Sequence, residues 1–229
     1  MIERDSNLAN PALTDIIGKI EKAARLADRK SSDIALIAVS KTRSSDEIRP
    51  LLVAGHRLFG ENRVQEAAAK WPDLQAEYPD IQLHMIGQLQ SNKAAEAVAL
   101  FDYIHSLDRP SLIKALAKEM ERQDRRIPCF LQVNIGEESQ KGGCDITAIS
   151  DLLTLAGQSG IEIVGLMAVP PDNTNPVPYF ALLAKLARDH GLDRLSMGMS
   201  GDFETAIKLG ATHVRVGTAL FGPRASPAG

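Results

Sequence analysis

Cysteine is scarce in this sequence, with two among 229 residues, and their setting removes two functional classes. Cys129 lies inside the mostly apolar run Pro128 to Val133, and Cys144 follows Gly142-Gly143. The pair has neither metal-site spacing nor a disulfide framework, so both read as reduced thiols. Excess charge is missing too: 26 basic residues stand against 29 acidic ones, for a net charge of −3, with no long run of either sign. Nothing in that balance favours nucleic acid or an anionic membrane surface, which leaves small, neutral or weakly charged ligands as the expected partners. The opening stretch MIERDSNLAN has no apolar signal core, and no later segment stays apolar long enough to span a bilayer. The chain reads as cytoplasmic. No linker, charge block or low-complexity segment marks a second domain, and 44% hydrophobic content suits one α/β domain over residues 1–229.

What is present is organised around Ile34 to Lys41, IALIAVSK. An apolar run too short for a helix reads as a strand buried on both faces. Lys41 stands at its carboxyl end, where parallel α/β proteins carry their ligand-facing loops. Desolvation there lowers an ammonium pKa, and the neutral amine is the form that attacks a carbonyl. The alternative is a lysine that simply reaches solvent where the strand runs out.

Around this strand the chain alternates. A helix opens at Asn10-Pro11 with an apolar stripe of Leu13, Ile16, Ile17, Ile20, Ala23, Ala24 and Ala27. Ser44-Ser45-Asp46-Glu47 supplies a capping box, and Gly55 is placed to end that helix. Arg57 to Gly60 is the second strand, and Glu61 to Gln75 a helix broken or ended near Trp71-Pro72. Further strands are expected at Ile81 to Ile86, Tyr103 to Ser106, Pro128 to Asn134, Ile161 to Ala168, Arg194 to Met197 and His213 to Val216. The helices between them are Ala94 to Leu100, Ser111 to Arg122, Ile146 to Ala156, Phe180 to His190 and Phe203 to Leu209, with a loop at Pro170 to Pro176. Eight strands at an even period of roughly 25 residues fit a single (β/α)8 TIM-type barrel with an extra N-terminal helix. A doubly wound open sheet has no reason for so even a period.

Polar residues at the expected carboxyl ends are Lys41, Asn62, His84, Ser106, Asn134 and Arg215. His84 reads more simply as a satisfied core histidine than as a base. Ser196 to Asp202, SMGMSGD, sets glycines and serines between a short strand and a short helix, as an anion site requires. Arg215-Val216-Gly217-Thr218 adds a second small-residue loop after the eighth strand. Barrels often hold phosphate with the loops after strands seven and eight.

A carbonyl-reactive lysine facing a phosphate cradle describes a pyridoxal phosphate site or a Schiff-base aldolase. AVSKTR, FGENRVQE, HMIGQLQSNK, HSLD, QVNIGEES, GLMAVPP, LSMGMSGDFETAI and THVRVGTALFG, in that order, resemble the YggS/PROSC family of pyridoxal phosphate homeostasis proteins, which are similar to the barrel domain of alanine racemase. The resemblance runs from the first strand to Gly222. It implies that Lys41 carries pyridoxal 5′-phosphate as an internal aldimine. It places the phosphate on the Ser200-Gly201 turn and the Gly217-Thr218 loop, Arg215 beside the pyridine nitrogen, and Asn62, Met197 and Met199 near the ring or phosphate. Asn134 to Cys144 departs from the family pattern, and no residue is carried over from it.

Arg215 cannot give up a proton, so its hydrogen bond would leave the pyridine nitrogen unprotonated and the ring a weak electron sink. The racemase tyrosine comes from a further domain, and none of Tyr78, Tyr103 and Tyr179 follows a strand. The expectation is a non-catalytic, monomeric binder that holds pyridoxal phosphate and delivers it to apo-enzymes. The alternatives are a weak amino-acid racemase and a cofactor-free phosphosugar isomerase or aldolase.

Overall fold

The computed structural model describes residues 10–138 and 140–223. The first nine residues, which hold most of the stretch with no signal core, lie outside them. Eight parallel strands pair in chain order and close on themselves: β1 (Ala35–Val39), β2 (Leu58–Glu61), β3 (Gln82–Met85), β4 (Tyr103–Leu107), β5 (Cys129–Gln132), β6 (Ile163–Met167), β7 (Arg194–Met199) and β8 (His213–Val216). Closure is made by β1 against β8, with Ala35 beside His213 and Ile37 beside Arg215. The expected (β/α)8 barrel is the fold.

Strand side chains alternate between two environments. Leu36, Ala38, Leu83, Met85, Leu131, Met197, Val214 and Val216 join the apolar layer under the helices. The other set fills the barrel. His105 on β4 reaches Ser196 on β7 at 2.8 Å, a contact between non-neighbouring strands that only the interior allows. Both faces are buried, which is why the strands read as nearly continuous apolar runs.

The outer helices are α1 (Pro11–Arg25), α2 (Ser45–Val53), α3 (Val64–Glu77), α4 (Ala94–Leu100), α5 (Pro110–Arg122), α6 (Ile149–Gln158), α7 (Val177–Asp189), α8 (Phe203–Lys208) and α9 (Thr218–Phe221). Their starts follow local chemistry. The Asn10 side chain accepts from the Leu13 N–H at 3.0 Å, and Ser44 and Glu47 form the full capping box. Gly55 takes φ of 88°, the left-handed conformation that ends α2. α1 packs against α8 and α9, but its stripe is narrower than its apolar residues suggest, since Ile17 is 43% exposed.

Two expectations are corrected. α3 is neither broken nor ended at Trp71-Pro72; it begins at Val64 and runs through Pro72 to Glu77. Trp71 and Leu74 are fully buried on either side of the proline, and this packing outweighs the lost backbone bond, a penalty of about 3 kcal/mol. Glu61 belongs to β2 instead of the helix, and its side chain is fully buried.

Candidate functional site

The carboxyl ends of β1, β2, β3, β6, β7 and β8 border a cavity of about 410 Å³ lined by Val39, Lys41, Asn62, Ile86, Val169, Met199, Ser200, Gly201, Arg215, Gly217 and Thr218. That volume suits a small ligand. Lys41 enters from the turn after β1 and is half-buried. Asn62 follows β2, and the next loop lies so close that a Cβ on Gly87 would stand 2.3 Å from the Asn62 carbonyl oxygen.

The adjoining wall, next to β1, is made of two short loops tied together. The Gly217 N–H donates to the Ser200 hydroxyl oxygen at 3.2 Å, which leaves the hydroxyl proton of Ser200 to donate elsewhere. Behind it the Asp202 carboxylate accepts from the Met199 N–H at 2.6 Å and the Asp202 N–H returns to the Met199 carbonyl. Gly198 takes φ of 94°, and a Cβ there would meet that of Ala206 at 2.6 Å; glycine is what lets α8 dock beneath the turn. α9 starts at Thr218 with Gly217 as its cap and no capping side chain. Its first N–H groups have no partner within the helix. Together with the hydroxyls of Ser200 and Thr218 they offer an anion several donors.

Arg215 forms the floor. It is buried and donates to the Ser196 hydroxyl at 2.6 Å and to the Ala168 carbonyl at 3.0 Å. Burial lowers its pKa to about 10, partly offset by Asp202, so it stays a cation at neutral pH. Below it, His105 bonds Ser196 through Nδ1 at 2.8 Å and His84 Nδ1 through Nε2 at 2.9 Å. Burial, with the charge of His213 adding to it, pushes His84 down to about 3. Burial, then His84, His213 and Arg215, holds His105 well below the ordinary range.

Of the nine residues proposed from the sequence, eight line this one cavity: Lys41, Asn62, Met199, Ser200, Gly201, Arg215, Gly217 and Thr218. Met197 does not; it is fully buried in the apolar layer on the face of β7 opposite to Ser196. His84 is inside the barrel, stacked on Tyr103 with rings 4.7 Å apart, away from the cavity lining. Sequence reasoning placed Ser196 in the candidate anion segment but did not foresee that it anchors Arg215, and it did not single out the apolar lining residues Val39, Ile86 and Val169. Among the described residues, no tyrosine lines the cavity.

Among the described residues, no group of three or more His, Cys, Asp and Glu side chains could hold a metal ion, and no helix is long and apolar enough to cross a membrane.

Comparison with known proteins agrees with this fold. Residues 17–225 match the family model for the alanine racemase N-terminal domain. The pyridoxal phosphate homeostasis protein of Pseudomonas aeruginosa is 38% identical over 222 residues, covering 93% of this chain and 94% of that protein. That of Aquifex aeolicus is 37% identical over 223 residues, covering 93% and 96%. Among solved structures, PipY of Synechococcus elongatus with PLP bound superposes with a TM-score of 0.76 at 38% identity, covering 89% of this chain and all of that one. An alanine racemase of Clostridium difficile has a TM-score of 0.69 at 11% identity, over 94% of this chain and 58% of that one, a likeness of fold alone. With more than a third of its residues shared over nearly the full length of its relatives, the chain belongs to the family of pyridoxal phosphate homeostasis proteins, built on the alanine racemase N-terminal domain.

Proposed function

We propose that this protein binds pyridoxal 5′-phosphate through Lys41 and serves pyridoxal phosphate homeostasis as a carrier, without a catalytic cycle of its own. One observation carries the reading: a half-buried lysine shares a cavity with two hydroxyl- and N–H-bearing loops and a buried arginine. The donor set suits a phosphorylated carbonyl compound. A Cβ on Gly217 would stand 3.3 Å from the Cβ and carbonyl oxygen of Val39, so a side chain here would press on the strand that leads to Lys41.

Bound pyridoxal phosphate supplies an aldehyde that condenses with an amine and a pyridine ring whose electron demand depends on protonation of its nitrogen. In this reading Lys41 provides the amine. Ser200, Gly201, Gly217 and Thr218 hold the phosphate, where each charge-assisted hydrogen bond contributes about 1.5–3 kcal/mol. Asn62 and Met199 border the ring. Arg215, donor-only and pinned by Ser196 and Ala168, faces the ring nitrogen and keeps it unprotonated. That favours holding the cofactor over carbanion chemistry. Among the described residues no tyrosine lines the cavity, which supports the carrier over the racemase alternative. The same reading takes the chain as a monomeric, cytoplasmic carrier with apo-enzymes as its receiving partners.

The test is visible absorbance of the loaded protein followed by borohydride reduction and peptide mapping. Wild type is expected to absorb in the visible and to retain the cofactor on Lys41 after reduction. Lys41→Ala is expected to fold, because a strand-end lysine adds little packing, and to lose the reducible band. Labelling at another lysine would refute the assignment.

A further inference from the structure

The turn that presents Lys41 is held from beneath by buried charges that do not line the cavity. Ser40 to Arg43 closes as a β-turn, with the Arg43 N–H donating to the Ser40 carbonyl at 3.1 Å. Lys41 and Thr42 are its central residues, and Thr42 takes φ of 63°. Positive φ at that position belongs to a type II turn, where glycine or asparagine is the usual occupant and a β-branched residue is strained. Such strain persists only where the surroundings over-determine it, and it clusters at functional sites.

Here the surroundings do over-determine it. The Lys70 ammonium donates to the carbonyls of Ser40 and Arg43, each at 3.0 Å, and so clamps both ends of the turn. Glu66, one turn earlier on α3, accepts from the Thr42 N–H. Below the clamp Lys70 pairs with Glu61 at 2.7 Å. The same Glu61 oxygen accepts from the Ser40 hydroxyl at 2.7 Å and the Trp71 indole at 3.0 Å. Glu61 is fully buried and Lys70 only 8% exposed. A buried ion pair is a poor source of stability, because desolvation offsets its attraction. Its geometric role is the better account of these residues. With four acceptors around three protons, the Lys70 amine is fully engaged and is not itself the attacking group.

We propose that Lys70, seated on Glu61, is a positioning residue: it locks the strained turn so that the Lys41 amine is aimed at a bound carbonyl. This rests on the pyridoxal phosphate reading above and deepens it. Loss of the clamp slows attachment at Lys41 while leaving the bonds within the anion loops, Gly217 to Ser200 and Met199 to Asp202, intact.

Wild type, Lys70→Met and Glu61→Gln/Lys70→Met are mixed with pyridoxal 5′-phosphate, and attachment at Lys41 is timed by absorbance and borohydride trapping. The double variant removes the carboxylate that the single one would leave buried alone. Affinity for pyridoxine 5′-phosphate, which has ring and phosphate but no carbonyl, is measured beside it. The expected result is attachment slowed by about ten-fold or more with affinity for the carbonyl-free ligand unchanged. Attachment at the wild-type rate would overturn the proposal. So would a parallel loss of attachment and of pyridoxine 5′-phosphate affinity, since the network would then only shape the cavity. If the methionine variants do not fold, Lys70→Arg keeps the charge with a different reach and carries the same comparison, with the same expected and overturning results. A wild type that never attaches pyridoxal phosphate would refute the cofactor reading itself, and this inference with it, before any variant is compared.

Discussion

The guanidinium of Arg215 donates to the hydroxyl of Ser196 at 2.6 Å, and that bond opens a polar chain crossing the barrel. Because arginine only donates, the Ser196 hydroxyl accepts from it, and the same oxygen lies 2.8 Å from His105 Nδ1. His105 Nε2 is in turn hydrogen-bonded to His84 Nδ1 at 2.9 Å. Among the described residues, the buried Nε2 of His84 has no partner.

Ser196→Ala removes the oxygen that joins Arg215 to His105 and strands two buried polar groups. The expected loss is about 2 kcal/mol of unfolding free energy, the usual scale for hydrogen bonds to charged groups. Denaturant unfolding measures it; an unchanged midpoint would mean that the Arg215–Ser196 bond is not formed in solution.

Much of the barrel was legible in the sequence, because its signals are local. Asn10-Pro11 and Ser44 to Glu47 start helices by chemistry contained within four residues, and every strand was bounded to within a few residues. The course of α3 through Pro72 was not legible, since it depends on what Trp71 packs against. His105 and Ser196 lie 91 residues apart, so no sequence window contains their contact. Met197 and Met199 are two residues apart, yet the register shift between Ser196 and Met199 puts one under the helices and the other at the cavity mouth. Alternation alone could not separate them. Arg215 was identifiable from its place at the end of the eighth strand, and its role beside the ring nitrogen came from the family resemblance, whereas its anchors, Ser196 on β7 and Ala168 just after β6, emerge only when the barrel closes.

The buried histidines predict how stability depends on pH. Folded pKa values of about 3 for His84 and about 4 for His213 lie below the unfolded value near 6.5, and His105 is lowered as well. Burial is the leading cause in all three. Below pH 6.5 the unfolded chain takes up protons that the folded chain refuses, so stability falls as pH falls, by about 1.4 kcal/mol per pH unit for each histidine. The decline starts near pH 6.5 and continues to about pH 4 for His213 and about pH 3 for His84. Urea titrations between pH 7.5 and 4.5 would record it; a flat profile above the carboxylate range would show that the interior histidines protonate freely.

Ser200→Ala and Gly217→Leu test the phosphate wall. Ser200 accepts from Gly217 and keeps its own proton for an anion, and a side chain at Gly217 would press on Val39. Removing one charge-assisted bond should weaken pyridoxal phosphate binding by about ten- to a hundred-fold. The Ser200 variant should leave the melting temperature of the apo form nearly unchanged. Equal cofactor affinity in wild type and both variants would put the phosphate elsewhere.

Carrier and racemase differ most in what happens to an α-hydrogen. Racemisation needs an electron-poor ring and a proton donor or acceptor on each of its faces. With Arg215 as the proposed partner of the ring nitrogen, the ring stays unprotonated, and among the described residues no tyrosine lines the cavity that holds Lys41. The loaded protein should therefore exchange the α-hydrogen of alanine with solvent no faster than free pyridoxal phosphate, within about an order of magnitude. It should still release its cofactor to an apo-enzyme. Arg215→Glu reverses the electronics, because a carboxylate favours the protonated ring, and exchange should rise in that variant. Deuterium uptake into L- and D-alanine, followed by NMR for both proteins, separates the readings. Wild-type exchange of both enantiomers at roughly 1 s⁻¹ or faster, within the range of ordinary enzymes, would defeat the carrier and restore the racemase.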